Sequence, residues 1–173
     1  MLVKLGKINV IAPSHYSIEH WSEAEVLGSL VWLWQYVSSL KNAPLSYFMS
    51  RTVPFLHHRQ FAVFIENDRV IGYVSWAYLD EATEYKYIQN QGQPLALSEW
   101  KSGDRLWIID WFTPFGHSKE IKDAVVQQLF PLSCMRSLYH RGKEKGLRVM
   151  HFRGAQLSSQ DFKHWQQTYP VSS

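Results

Sequence analysis

Apolar residues recur at spacings of three and four along the first third of the chain. The series is Leu27, Leu30, Val31, Trp34 and Val37. It predicts an amphipathic helix over residues 23–39, opened by a capping box at Ser22 and Glu25. A second, shorter helix is predicted over residues 45–53, because Pro54 has no backbone N–H with which to continue it.

Two apolar runs, residues 60–66 and 69–78, flank the turn pair Asn67-Asp68 and predict a β-hairpin. Both runs are apolar at odd and even positions, which favours a sheet covered on both faces. Further strands are predicted over residues 105–112 and 147–152. A short, exposed helix is predicted over 80–88, and further helices after Ser118 and over 131–140. A last helix is predicted after a capping box at Ser158-Ser-Gln-Asp161. The absence of repeats and linkers predicts one domain of the α+β (mixed α/β) class.

Composition removes several classes of protein. Hydrophobic residues make up 46% of the 173 residues and charged residues 19%, which argues against disorder. One cysteine, Cys134, excludes a disulfide framework. No run approaches the ~18 apolar residues of a membrane span, and the amino terminus has no signal-peptide layout. The cytoplasm is the expected location. The aromatic share of 15% fits either a ligand groove or an aromatic core.

The net charge of +3 is too small to indicate nucleic-acid binding. Basic residues nevertheless concentrate between positions 136 and 153, against the single acid Glu144. They are Arg136, Arg141, Lys143, Lys145, Arg148 and Arg153. Such a segment can steer an acidic partner toward one face, although a solvated loop explains it equally well.

Asp110 is the candidate for chemistry on physical grounds. It lies between Ile109 and Trp111 in an apolar strand, where a carboxylate must be paired or hydrogen-bonded. It is therefore either tied to a partner such as Arg105 or placed for acid–base work. The eight histidines show no chelating spacing, so no metal site is expected.

Several motifs occur in order along the chain. They are Glu25-Val-Leu-Gly28, Val31-Trp-Leu-Trp34, Tyr73-Val-Ser-Trp-Ala77, Glu84-Tyr-Lys-Tyr87, Ser102-Gly-Asp-Arg105, Trp107-Ile-Ile-Asp-Trp111 and Pro114-Phe-Gly116. Together they resemble the RTX toxin-activating lysine acyltransferases, the hemolysin-activating proteins of Gram-negative bacteria. The resemblance implies a fold similar to the GNAT acetyltransferases, with a central, mostly antiparallel sheet flanked by helices. Residues 1–20 would be an N-terminal extension and 21–173 the acyltransferase-like domain.

The resemblance also implies an activity and its partners. A fatty acyl group would pass from acyl carrier protein to internal lysines of an RTX protoxin, with acyl-acyl carrier protein as donor and no bound cofactor. Members of the family form dimers, so a homodimer is a further expectation. Because the carrier protein is acidic, the resemblance gives the basic segment a candidate partner, with Arg141, Lys143 and Lys145 as the predicted carrier-binding patch.

The family's catalytic residues are only half retained. Its essential Asp falls on Asp110, but its essential His position is occupied by Leu40, with Lys41 after it. Three outcomes stay open: another histidine such as His57 or His58 reaches the site, Asp110 works with water, or catalysis is lost. The last outcome describes a pseudoenzyme that binds or escorts the toxin or the carrier.

Two tryptophans complete the predicted site. Trp76 and Trp107 would line the acyl or pantetheine channel, and the alternative is that both pack in the sheet core.

Overall fold

A computed structural model describes residues 3–16, 21–139 and 146–171 of the chain. The strands are β1 (Val3–Leu5), β2 (Ile8–Ile11), β3 (Phe61–Glu66), β4 (Arg69–Leu79), β5 (Arg105–Phe112), β6 (Cys134–Leu138) and β7 (Val149–Arg153). The helices are α1 (Glu23–Trp34), α2 (Leu45–His58), α3 (Glu81–Gln89), α4 (Ser118–Ala124) and α5 (Ser159–Thr168). A 3₁₀ helix over Leu97–Trp100 and a π-helical turn over Val125–Leu129 accompany them.

The strands follow one another across the sheet in chain order, from β1 to β7. The pairs β1–β2, β2–β3, β3–β4 and β6–β7 are antiparallel, and β5 pairs with β6 in parallel. The predicted α+β class with a mostly antiparallel sheet is confirmed. Similarity to the GNAT fold stays a prediction.

The predicted β3–β4 hairpin is confirmed. Val63 lies opposite Tyr73 in its register, and the turn residues Asn67 and Asp68 have φ angles of 49° and 58°. Asn and Asp tolerate this left-handed region better than most residues, because their short polar side chains bond locally to the backbone. A two-residue turn of this kind matches the twist of the strands it joins.

The chain divides into two compact units. One consists of Met1–Ser75 with Asp110–Ile121, and the other of Trp76–Ile109 with Lys122–Ser173. Fully buried side chains of the first include Leu30, Leu33, Phe55, Phe61, Phe64 and Tyr73. Those of the second include Trp76, Leu79, Trp100, Trp107 and Ile108. Each unit thus has its own set of large buried side chains.

Both helices of the first unit differ from their predicted bounds. α1 ends at Trp34, not near residue 39. Just after it the backbone bonds join residues three apart instead of four, as in the bond from Tyr36 N–H to the Leu33 carbonyl at 3.1 Å. Its N-cap Ser22 makes no side-chain bond, so the capping box predicted there is wrong. α2 continues through Pro54 to His58. Burial of the following Phe55 offsets the backbone bond that proline removes.

Three predictions in the second unit are corrected. Residues 131–140 do not form a helix, since β6 occupies Cys134–Leu138 and pairs with strands on both sides. The helix after Ser118 changes to a π-helical turn at Val125. α3 is present where a short, exposed helix was predicted, but only part of it is exposed, because Glu84 and Tyr87 are buried. The capping box at Ser158 and Asp161 is confirmed.

Candidate functional site

Asp110 is buried near the end of β5 and both of its carboxylate oxygens are hydrogen-bonded. Oδ1 accepts from Arg51 Nη2 at 2.6 Å, and Oδ2 accepts from Ser75 Oγ at 2.7 Å. Ser75 Oγ in turn accepts from the backbone N–H of Asp110 at 3.1 Å. The sequence required a partner for this carboxylate, and the cation that binds it is Arg51 rather than Arg105.

Three elements of one compact unit bring these groups together. β5 supplies Asp110, β4 supplies Ser75, and α2 supplies Arg51. The Arg51 and Asp110 side chains keep 17% and 10% of their surface exposed, so the ion pair reaches the edge of the solvent. The Asp110 charge raises the pKa of Arg51 above its ordinary value, which keeps the guanidinium charged at every relevant pH.

Aromatic side chains of the same compact unit lie near the ion pair. The Tyr73 ring stacks on Phe112 at 5.3 Å between centroids, and Trp34 Nε1 donates to the Tyr73 hydroxyl at 3.0 Å. Burial raises the pKa of Tyr73 strongly, so its phenol stays protonated near neutrality and does not serve as a base there. The Asp110 carboxylate is largely removed from water, which strengthens its electrostatic interactions.

Leu40 lies in the turn region after α1, where its backbone N–H donates to the Val37 carbonyl at 2.9 Å. Its side chain has no group that exchanges a proton. His57 and His58 lie at the end of α2, with their rings 5.2 Å apart. They follow Arg51 by six and seven residues, which is about 9–10 Å along a helix axis. Access of either histidine to the Asp110 carboxylate stays a prediction.

The two candidate channel tryptophans are packed in the second unit. Trp76 contacts the Phe130 ring edge-on at 5.1 Å, and Trp107 contacts Tyr87 at 5.5 Å in the same manner. Trp107 Nε1 also donates to Glu84 Oε2 at 3.3 Å. Both side chains are almost wholly buried, which agrees with the packing alternative, and their role in lining a channel stays a prediction.

The predicted carrier-binding residues Arg141, Lys143 and Lys145 lie outside the described residues. Of the rest of that basic segment, Arg136 is not on the surface, because it is buried against Glu84 at 2.8 Å. The segment therefore presents one cation fewer to a partner than the sequence suggests.

Sequence reasoning missed three groups that shape these clusters. Arg51 and Ser75 hold Asp110, and Glu84 binds both Arg105 and Arg136 within the second unit. Glu84 carried a usable signal, because it opens one of the motifs on which the resemblance rests. Ser75 carried the same signal, because it lies within the motif Tyr73-Val-Ser-Trp-Ala77, whereas Arg51 carried none.

No group of three or more His, Cys, Asp or Glu side chains in the described part of the chain is arranged to hold a metal ion. No helix of the described ranges is long and apolar enough to cross a membrane.

Comparison with known proteins gives consistent matches. The model of the RTX toxin acyltransferase family matches residues 19–153. The chain is 36% identical over 145 residues to the leukotoxin-activating lysine-acyltransferase LktC (serotype A1) of Mannheimia haemolytica, covering 83% of this chain and 86% of that protein. It is 35% identical over 144 residues to the protein-lysine myristoyltransferase RtxC of Kingella kingae, covering 81% and 85%. With the protein-lysine myristoyltransferase HlyC of Escherichia coli it shares 32% identity over 136 residues, or 79% of each chain. The region matched by the family model includes Arg51, Ser75 and Asp110.

Proposed function

Because this chain belongs to the RTX toxin acyltransferase family, we propose that it transfers a fatty acyl group from acyl carrier protein to internal lysines of an RTX protoxin in the cytoplasm. The names of its relatives support lysine acylation. The observation in the chain itself that carries the proposal is the Asp110 carboxylate, which is fixed in an aromatic setting and still reaches the solvent edge.

The reaction needs a deprotonated lysine amine. Its Nζ attacks the thioester carbonyl, the carbon–sulfur bond breaks, the carrier thiolate takes a proton and the new amide nitrogen loses one. A carboxylate offers about four lone-pair sites, of which Arg51 and Ser75 use two. Asp110 thus retains sites that accept from the incoming ammonium, and its charge attracts and orients that group.

The proton acceptor is the unusual part of this site. Imidazole is the side chain best matched to proton transfer near neutrality, and Leu40 supplies none. Since Tyr73 stays protonated, we assign the proton transfer to water held at the Asp110 carboxylate. Loss of a positioned base typically lowers a rate by ~10²–10⁴-fold, so a slow enzyme is expected.

Acylation of the protoxin is the direct test. The protein is incubated with acyl carrier protein charged with a labelled fatty acid and with the toxin of its own operon, and modified lysines are mapped by mass spectrometry. We expect label on internal lysines with the wild type and none with Asp110→Ala. Asp123→Ala, which removes an exposed carboxylate, is the matched control and should leave the label unchanged.

A second candidate function is favoured by Leu40. A pseudoenzyme would bind the toxin or the carrier and transfer nothing, and the assay above would then show toxin binding without label. Leu40→His tests whether only the base is missing. A rise in acylation by this variant supports the enzyme, whereas an unlabelled toxin with both proteins supports the escort.

A further inference from the structure

The outward side of α2 carries apolar side chains that remain exposed. Leu45, Met49 and Val53 recur every fourth residue and keep 70%, 37% and 40% of their surface accessible. Residues four apart lie on one side of a helix, so these three form a continuous line. Other residues of the same helix, Phe48, Thr52 and Phe55, are buried. A line of this kind is typical of an interaction surface.

The stretch of sequence that includes this line carries charge of one sign. Residues 26–65 contain no Asp or Glu, although the whole chain has fifteen. Lys41 lies just before α2 and Arg59 is its C-cap, and both are exposed. A helix of 14 residues is about 21 Å long, so the two cations flank the apolar line at opposite ends. We call Leu45, Met49, Val53, Lys41 and Arg59 the α2 docking face.

The same helix connects this face to the candidate site. Arg51, in the middle of α2, binds the Asp110 carboxylate from the inward side of the helix. An α-helix with its side chains is only about 10–12 Å across. A partner bound to the outward side of α2 is therefore within reach of the Asp110 site for a flexible thioester-bearing arm.

We propose that the α2 docking face binds the acidic acyl-carrying protein that donates the acyl group. This inference rests on the proposed function, which supplies the donor. Carboxylates of the carrier pair with Lys41 and Arg59 at the rim, while apolar carrier residues cover Leu45, Met49 and Val53. Complementary charge speeds the encounter and fixes its orientation, and the apolar line supplies buried area.

The basic segment 136–153 fits this role less well. Arg136 is buried against Glu84, the Arg148 guanidinium lies over the Tyr139 ring at 4.4 Å, and Arg153 binds Ser159 Oγ at 3.0 Å. The three cations of this segment that the structure describes are therefore already engaged by groups of the same chain. Arg141, Lys143 and Lys145 lie outside the described residues, and they form the rival surface in the test.

Binding of acyl carrier protein, charged with a fatty acid through a non-transferable amide, tests the α2 docking face without catalysis. The variant Lys41→Glu/Arg59→Asp reverses both rim charges, and Asp suits the left-handed φ of 56° at position 59. We expect its dissociation constant at low salt to rise about tenfold or more, with the difference shrinking at high salt. A second variant, Met49→Gln/Val53→Thr, should weaken binding at both salt concentrations.

The matched control is Lys119→Glu/Lys122→Asp, which makes the same change in charge at two exposed lysines of α4. It should bind like the wild type. Equal binding by the wild type and both α2 variants would overturn the docking face, as would a loss confined to Arg141→Glu/Lys143→Glu/Lys145→Glu. Loss of protoxin binding with carrier binding intact would assign the face to the toxin and overturn it too. If the wild type itself binds no carrier, the donor in the proposed function is wrong, which is a separate outcome.

Discussion

Asp110 and Glu84 are both buried carboxylates bound by arginine, one in each compact unit, and they differ in access to water. Asp110 has one guanidinium, Arg51, whose side chain is 17% exposed. Glu84 is fully buried with two, Arg136 at 2.8 Å and Arg105 at 3.2 Å. The backbone carbonyl of Tyr169 accepts from Arg136 Nη2, and that of Pro170 accepts from Arg105 Nη1. The Glu84 cluster is thus closed by the protein, whereas the Asp110 pair keeps an open side.

The two sites affect their cations in opposite directions. The Asp110 charge raises the pKa of Arg51, whereas burial lowers the pKa of Arg136 and Glu84 only partly opposes this. Removal from water is therefore the dominant influence on the pKa of Arg136, and pairing with the Asp110 charge is the dominant influence on the pKa of Arg51. A closed cluster holds a fold together, and a cluster with an open side can also meet a substrate. The predictions below test this distinction.

Glu84→Gln should have the largest effect on stability. The substitution keeps the side-chain volume but takes the anion from the buried Arg136 guanidinium and leaves Arg105 to the exposed Glu81. Breaking a buried ion pair in this way typically costs ~3–5 kcal/mol. We expect the free energy of unfolding, measured with urea, to fall by that amount. A loss below about 1 kcal/mol would contradict the closed cluster described here.

Asp110→Asn should act mainly on the reaction. The amide cannot attract the lysine ammonium as a charge does, so the rate of toxin acylation should fall at least ~10²-fold. Its unfolding free energy should fall less than that of Glu84→Gln, because Arg51 retains contact with water. Initial acylation rates and urea unfolding measure the two effects. The reverse ranking would remove the distinction between the two carboxylates.

Local signals in the sequence account for what could be predicted. The β3–β4 hairpin follows from Asn67-Asp68 between two apolar runs, and Asp110 is conspicuous as a lone charge in an apolar strand. Arg51 lies 59 residues from Asp110, and Ser75 lies 35. Nothing in the neighbourhood of Arg51 distinguishes it from an ordinary surface arginine, and the motif around Ser75 does not reveal its partner. Pairing over such separations is a property of the fold.

The errors have the same physical origin. β6 resembles a helix in its apolar spacing, but it pairs with β5 and β7 and that pairing decides its conformation. Pro54 is a local signal for the end of a helix, and burial of Phe55 overrides it. α3 is exposed over only part of its surface, because Glu84 has buried partners on β5 and β6. In each case tertiary contacts outweighed a local preference.

Arg51→Lys should have an intermediate effect. Lysine keeps the positive charge but offers a point charge in place of a planar fork, so it holds the Asp110 carboxylate less precisely. We expect kcat to fall about tenfold with little change in KM, since the error lies in orientation rather than in binding. Arg51→Met, which removes the charge, should be worse than Arg51→Lys. Equal losses in both variants would indicate that Arg51 only fills space.

Glu81→Gln should have the smallest effect on stability. It tests whether the burial of a carboxylate, rather than its distance from Arg105, determines its contribution. Glu81 binds Arg105 at 3.4 Å, almost the same separation as Glu84 at 3.2 Å, but its side chain is 74% exposed. Water already solvates this carboxylate in both the folded and unfolded chain, so the pair gains little on folding. We expect the unfolding free energy to change by less than ~0.5 kcal/mol. A loss approaching that of Glu84→Gln would mean that contact with Arg105, rather than exclusion of water, determines the worth of each carboxylate.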